Sequence, residues 1–332
     1  MIIVRSPLRI SLGGGGTDLP SYYENFGGYL IASGIDKYVY VSINSTFVDK
    51  LILKYSKIEE VMDVEKLKHP IVREAIKFLG VSHNRLEITS LADIPSGTGL
   101  GSSGAFCVAI LSALHHHFGI NSSPEKIAET ACHIEIDLLG EPVGKQDQYI
   151  SALGGLKKFN FHKNGNVEWE QLNCSSDTIE KIDDNLLLFF TGYYRSASKL
   201  LEEQDKKSKR SDADMINNLH FVKELGVASG EAIEADDLVE FGRLMNTHWE
   251  YKQKRSPDMS NPTVNECYNY ALSNGAVGGK LVGAGGGGFL MFYTEEPDRL
   301  RKAMAMNGME EVKFKISNNA GCEVLLPYVG SF

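Results

Sequence analysis

Cysteine is sparse in this chain of 332 residues. The five present, Cys107, Cys132, Cys174, Cys267 and Cys322, are widely spaced, odd in number and without a C-x-x-C pair. That spacing argues against a zinc cage and a secreted disulfide framework, and for a reducing compartment; the thiols are expected to act as small buried hydrophobes. Long apolar runs are also missing. The N-terminal run MIIVRSPLRISLGGGG is broken by Arg5 and Arg9, too short for a signal-peptide core. No stretch approaches the roughly 18 apolar residues of a membrane span, so the cytoplasm is the expected location. Positive charge is in deficit: 34 Lys and Arg against 43 Asp and Glu leave a formal net charge of −9. Such a field repels polyanions, so neither nucleic acid nor a membrane surface is an expected partner, although a local basic cleft can still take phosphate. There is no internal repeat.

With 42% hydrophobic and 23% charged residues, the chain has room for two globular domains and a substantial core. Short strands are predicted at Ile2–Ser6, Leu8–Leu12, Tyr38–Asn44, Leu51–Tyr55 and Arg85–Thr89. Strands gathered ahead of the first long helix favour an α+β class over regular βαβ alternation. Ser103–Phe118 is apolar almost all round, which predicts a buried helix. Ser122, Pro124 and Glu125 form a helix-start pattern, and that helix is expected to run to about Leu139 and stop at Gly140. After a strand at Asn185–Thr191, the charged segment Glu202–Asp214 has no apolar stripe and is expected to be a solvated loop or mobile lid. Helices are expected around Met215–Glu234, Asp237–Arg255 and Pro297–Met306, and strands at Phe289–Tyr293 and Val312–Ile316. The domain boundary is expected near residue 180, dividing 1–180 from 181–332.

Three glycine-rich loops punctuate this pattern. The central one, Pro95-Ser-Gly97-Thr-Gly99-Leu-Gly101-Ser102-Ser103-Gly104-Ala105, opens directly into the apolar helix. Its free amides and the positive end of the helix dipole suit an anion. Ser102 and Ser103 could cap the helix, bind phosphate or ligate Mg²⁺. Rival phosphate motifs fit less well. Gly140–Lys145 is one residue short of a P-loop and is followed by Gln146. Gly99–Gly104 has G-x-G-x-x-G spacing, but an irregular stretch precedes it and a turn occupies the place of the required downstream acid, so dinucleotide chemistry is not expected. Glu135, on a predicted helix, and Asp147, beyond the Gly140–Gly144 break, could place one carboxylate on Mg²⁺ and one near an acceptor hydroxyl, as phosphoryl transfer requires. Arg9 and Asp18 bracket Gly13–Gly16 and Thr17. An arginine there can stabilise phosphoryl charge, and an aspartate can accept hydrogen bonds from sugar hydroxyls. The third loop, Gly278–Gly288, packs five glycines into the six residues 283–288, which implies close backbone approach to a ligand or to the other loops. His115, His116 and His117 project about 100° apart on a helix and cannot converge on one ion.

These motifs, in this order, resemble the GHMP kinase superfamily, named for galactokinase, homoserine kinase, mevalonate kinase and phosphomevalonate kinase. Pro7–Asp18 is similar to its first motif in sugar-kinase form, Pro95–Ala105 to its phosphate loop and Gly278–Gly288 to its third motif. Glu135 and Asp147 stand twelve positions apart (147 − 135), similar to the magnesium glutamate and catalytic aspartate of galactokinases. The resemblance implies an α+β fold with an N-terminal domain like ribosomal protein S5 domain 2, a ferredoxin-like C-terminal domain and a site between them. It implies ATP bound by Pro95, Gly97, Gly99, Leu100, Gly101, Ser102, Ser103, Gly104 and Ala105, and Mg²⁺ on Ser103 and Glu135. It also implies Asp147 as base or orienting group, Arg9 as charge stabiliser, and Gly14, Gly15, Gly16, Thr17, Asp18, Gly285 and Gly286 at the substrate.

Galactokinases carry Glu-His where this chain has Gly15-Gly16, which widens the pocket and removes polar contacts that galactose would use. The string Arg9–Pro20 is instead similar to D-glycero-D-manno-heptose 7-phosphate kinases and to the kinase part of bacterial fucokinase–pyrophosphorylase enzymes. The latter carry a large nucleotidyltransferase domain for which 332 residues leave no room. Thr191–Ser196 and His248–Lys252 also resemble the heptose branch, and Trp249 is expected in the core. A sugar that already carries phosphate needs a second anion site, for which Arg195, Lys252 and Arg255 are the candidates. The expectation is an ATP- and Mg²⁺-dependent sugar 1-kinase, monomer or homodimer, acting on a small-molecule sugar phosphate. An L-fucose or other C1-hydroxyl sugar kinase is the alternative enzyme. A non-catalytic sugar-binding regulator is the alternative class, against which Glu135 and Asp147 stand.

Overall fold

The computed structural model describes residues 1–82, 84–193, 198–317 and 321–326. The chain opens with β1 (Ile2–Gly13), α1 (Pro20–Phe26), β2 (Gly28–Ser45), β3 (Leu51–Lys54), β4 (Ile58–Val61), α2 (Pro70–Leu79) and β5 (Leu86–Ala92). Next come α3 (Ser102–His117), α4 (Pro124–Cys132), α5 (Gln146–Leu153), β6 (Leu156–Phe161), β7 (Val167–Gln171), α6 (Ser176–Asn185) and β8 (Leu186–Phe190). Then follow α7 (Ser198–Lys209), α8 (Ala213–Glu234), α9 (Leu238–Gln253), α10 (Pro262–Ser273), β9 (Ala276–Leu281), β10 (Phe289–Thr294), α11 (Pro297–Met306), β11 (Glu310–Glu311) and β12 (Glu323–Leu326).

One sheet runs β12-β1-β2-β5-β3-β4, with β6 joining β2 and β7 joining β6. The 18-residue β2 organises it: Gly28–Ser33 pairs with β6 and Val39–Ser45 with β5, while β1 follows its other edge. The two strands expected at Ile2–Ser6 and Leu8–Leu12 are one, with Pro7 accommodated at a register shift against β2. The second sheet runs β11-β8-β10-β9, antiparallel throughout. Between Gly104 and His115 every residue of α3 is buried, in contact with β1 and β2. An all-round apolar helix is stable only inside a core, and each Leu, Ile or Val so placed contributes about 1.5–3 kcal/mol. Trp249 lies in the second core, beside Tyr268, Leu290 and Phe292. The last strand, β12, crosses back to β1, so the chain after residue 180 is not confined to the second sheet.

Several boundaries differ from expectation for definable reasons. Ser123, not Ser122, caps α4: its Oγ accepts the Lys126 amide at 3.3 Å, because Pro124 occupies the first helical position and the cap must directly precede it. That helix then widens into a π-type turn at His133–Leu138, which carries Glu135. The segment expected as a charged loop or lid is mostly helix α7. Lys206, Lys207 and Lys209 pair with Glu202, Glu203 and Asp205, each four residues earlier, the favourable orientation for such pairs. Its buried stripe, Leu200, Gln204 and Ser208, is largely polar, so no apolar periodicity marks it. The strand expected at Val312–Ile316 is instead Glu310–Glu311; the Val312 amide still donates to the Leu188 carbonyl of β8 at 2.8 Å, and Ile316 bridges to Ile35 of the first sheet.

Candidate active site

Within β1, Leu8, Ile10 and Leu12 face the core, and Arg9 and Ser11 line a cleft on the opposite face. Arg9 joins three elements. Its Nε donates to Asp147 Oδ1 at 2.7 Å, its Nη1 to the Gly99 carbonyl at 2.6 Å, and its amide to the Leu100 carbonyl at 3.0 Å. The glycines of the central loop make that junction possible. A Cβ at Gly101 would lie 2.9 Å from the Arg9 side chain, and one at Gly104 2.7 Å from Asp147 Cβ. Gly97, Gly99 and Gly101 have φ of 80°, 88° and 75°, a region costly to other residues. The N-cap of α3 is Gly101, with no side-chain cap. Neither Ser102 nor Ser103 is therefore the cap, and the first-turn amides face out of the helix beside half-buried Ser102 and exposed Ser103. Pro95 and Gly97 are exposed at the loop's start, and Leu100 and Ala105 are buried.

Behind the loop, Glu135 is 1% exposed. It accepts a short hydrogen bond from Ser103 Oγ and one of 2.7 Å from Gln148 Nε2. Burial pushes its carboxyl up to about 7, against the pull of those two donors. One carboxylate and one hydroxyl are hard oxygen donors of the kind Mg²⁺ accepts when waters and phosphates supply the remaining ligands. Among the described residues no group of three His, Cys, Asp or Glu gathers to hold an ion by itself.

The other two loops separate into lining and scaffold. Gly15, Gly16 and Asp18 line the cleft; Gly14 and Thr17 do not. Thr17 Oγ1 donates to the Gly14 and Tyr29 carbonyls at 2.9 and 2.8 Å and is buried. Asp18 accepts the Gly16 and Gln146 amides at 3.1 and 3.2 Å. Burial, with Asp147 nearby, pushes its carboxyl up, and those amides pull it back. In the third loop, a Cβ at Gly283 would sit 2.5 Å from Gly99 Cα, and Gly288 presses on Thr98. These glycines let the third loop pack backbone to backbone against the central one. Gly285 and Gly286 turn away from the cleft and pack on Met259, whose carbonyl accepts the Gly286 amide at 2.9 Å.

The same cleft is lined by His248, Lys252, Arg255 and Lys280. Lys252 donates to the Leu281 and Gly283 carbonyls, and Lys280 to the Leu12 carbonyl at 2.9 Å. Arg255 donates to Asn218 Oδ1 at 2.9 Å and to the Gly15 carbonyl and Gln204 Oε1 at 3.3 Å. All three cations are buried, and among the described residues none has a carboxylate in ion-pair range. Burial, with repulsion from Arg255 and Lys280, pushes Lys252 far down, and burial, with repulsion from Arg9 and Arg255, takes Lys280 to about 7. Burial takes Arg255 to about 10, partly offset by Asp18. Arg195 lies outside the described residues. Sequence reading missed Ser11, Gln204, Asn218, His248 and Lys280 as cleft or cleft-supporting groups. The signals were the likeness of His248–Lys252 to the heptose branch, the spacing of His248, Lys252 and Arg255 at i, i+4 and i+7, and a lone lysine in an apolar strand.

Two family models match the chain, GHMP kinases N terminal domain over residues 70–155 and GHMP kinases C terminal over 231–308. The chain belongs to the GHMP kinases. As a member it is a phosphotransferase, and the two-sheet architecture is the GHMP kinase fold. The chain is 28% identical over 305 residues to the D-glycero-alpha-D-manno-heptose 7-phosphate kinase of Campylobacter jejuni, covering 89% of each. It is 30% identical over 343 residues to the L-fucokinase/L-fucose-1-P guanylyltransferase of Bacteroides fragilis, covering 91% of this chain but 36% of that longer protein. Its fold matches that of a D-glycero-D-manno-heptose 1-phosphate kinase from Bacteroides thetaiotaomicron with a TM-score of 0.80 at 24% identity, over 99% of this chain and 100% of the other. Among the described residues no helix is long and apolar enough to cross a membrane.

Proposed function

We propose that this GHMP kinase is an ATP-dependent sugar 1-kinase whose substrate is D-glycero-D-manno-heptose 7-phosphate, giving the 1,7-bisphosphate. The observation that carries this reading is the coexistence, in one cleft, of the Asp18 and Asp147 carboxylates with three buried cations that lack a carboxylate partner. Uncompensated buried charge is costly, and a substrate bringing its own phosphate removes the cost. The likeness to the Campylobacter enzyme supports the same substrate class.

In this reading Asp147 receives or orients the proton of the anomeric hydroxyl, held in place by Arg9 Nε. The anomeric oxygen forms its bond to the γ-phosphorus as the bond to the bridging β–γ oxygen breaks, ADP leaves, and the proton passes to Asp147. The amides at the start of α3 and the Arg9 guanidinium, anchored on Gly99, would spread the phosphoryl charge. Ser103 and Glu135 would hold the Mg²⁺ that accompanies ATP, whose charge offsets that of the phosphates. Asp18, fixed by two backbone amides, accepts hydrogen bonds from sugar hydroxyls, and the bare backbone at Gly15 and Gly16 admits the Ser11 and Arg255 side chains, which a Cβ there would meet at 3.0 and 2.6 Å. Lys252 and Arg255 take the second anion.

The test is ADP release with Mg-ATP against heptose 7-phosphate, mannose, fucose, galactose and mevalonate, with Asp147→Asn as control. Turnover of heptose 7-phosphate alone, reduced about 10²–10⁴-fold in the variant, supports the reading. Turnover confined to an unphosphorylated sugar overturns the substrate assignment, and silence across the panel overturns the catalytic one.

A further inference from the structure

Two side-chain atoms bordering the cleft are buried and have no hydrogen-bond partner among the described residues: Ser11 Oγ and His248 Nε2. Their residues are 8% and 4% exposed, and both line the cleft that holds Lys252, Arg255 and Lys280. They come from different elements, Ser11 from β1 two residues beyond Arg9, and His248 from α9 one turn before Lys252. Buried polar atoms are nearly always paired. Two orphans converging on a cation-lined cleft point to a ligand that pairs with both.

The chemistry of the lining identifies that ligand. Burial, reinforced by Lys280, Arg255 and Lys252, pushes His248 far below the usual imidazole range. The ring is therefore neutral and offers one N–H without adding charge. A serine hydroxyl, a neutral imidazole N–H and a lysine ammonium supply donors from three elements, β1, α9 and β9, beside two further cations. A tetrahedral phosphate ester, with three terminal oxygens and nearly two negative charges, uses all of them. A carboxylate has too few oxygens, and a neutral sugar hydroxyl gives the cations nothing to pair with.

We propose that Ser11, His248 and Lys280 form the specificity subsite for the phosphate already carried by the sugar, with Ser11 Oγ–H and His248 Nε2–H donating to its oxygens and Lys280 supplying charge. This rests on the reading that the acceptor is a phosphosugar, and it extends the anion site beyond Lys252 and Arg255. Arg9, Asp147 and the α3 amides remain with the transferring group.

Calorimetric titration of the full chain tests it, with heptose 7-phosphate, D-mannose and Mg-ATP as separate probes. Wild type is expected to bind heptose 7-phosphate at least about a hundredfold tighter than mannose, and Ser11→Ala and His248→Leu to weaken the phosphosugar about tenfold each. His248→Gln, which keeps an N–H, recovers part of that loss, and Mg-ATP affinity stays within about twofold in each variant, which also reports an intact fold. Unchanged phosphosugar affinity in both Ser11→Ala and His248→Leu overturns the subsite while leaving the kinase reading intact. Should the wild type turn over only an unphosphorylated sugar, the substrate reading falls first and inorganic phosphate decides the subsite. Thermal protection by phosphate that Ser11→Ala abolishes supports it, and no protection overturns it.

Discussion

Around the central loop, charge is balanced within the protein: Arg9 and Asp147 meet at 2.7 Å, and backbone fills the remaining contacts. Across the cleft, Lys252, Arg255 and Lys280 are buried with only carbonyls and amide side chains as partners. The first region is made of main chain, where glycines permit approaches that a Cβ would block. The second is made of long side chains brought from α9, the segment after it, and β9. A site held by main-chain contacts is rigid, whereas a site of desolvated cations depends on its ligand for charge balance. The two regions should therefore fail differently.

The sharpest break in the comparison comes from Gly283→Ala. With φ of 74° and Gly99 Cα 2.5 Å from the new Cβ, no flexible side chain can yield. Strain and overpacking together should cost about 2–4 kcal/mol of stability, read in thermal unfolding, and raise the KM for ATP at least about tenfold. Next comes Arg255→Met, which leaves the Gly15 carbonyl, Asn218 and Gln204 without their donor. Steady-state kinetics should show KM for the phosphosugar rising by about one to two orders of magnitude while KM for ATP changes little; equal changes in both would erase the distinction between the regions.

The smallest effect is titration of Lys280. Burial, then Arg9 and Arg255, push it down to about 7, so in the ligand-free protein it loses its charge above that pH. The unfolded chain keeps its lysine protonated to about 10.4. Between these values the unfolded state binds more protons, so this group's contribution to stability rises with pH and is lost as pH falls through about 7. Phosphosugar affinity runs the other way, because binding the anion above pH 7 must take up a proton. KM for the phosphosugar should rise about three- to tenfold from pH 7 to pH 9, and Lys280→Met should remove the slope.

What was readable in the chain follows the same division. The glycine loops could be found because their meaning is local: glycine spacing, a helix directly after it, and acids at a fixed interval. The all-round apolar α3 was equally plain, since its burial follows from composition alone. Helix α7 was not, because it is held by charged pairs along one face and buries Gln204 and Ser208 on another. Gly285 and Gly286 belong to a motif in which Gly283 and Gly288 meet the central loop, yet they pack on Met259. Membership of a loop does not say which way each residue turns.

By itself, the sequence determined the α+β class, the order of the three loops, the helix that follows the central loop, and the family. Only the tertiary structure decided which side chains share the cleft. Ser11, His248 and Lys280 lie on separate elements, between residues 11 and 280 of the chain, and are brought to one cleft by the packing of β9 on α9 and of α9 against β1. Local pattern encodes what a segment becomes, because backbone geometry and periodicity act over a few residues. Which charges must live together without partners is set by how those segments dock, and no short-range spacing records it.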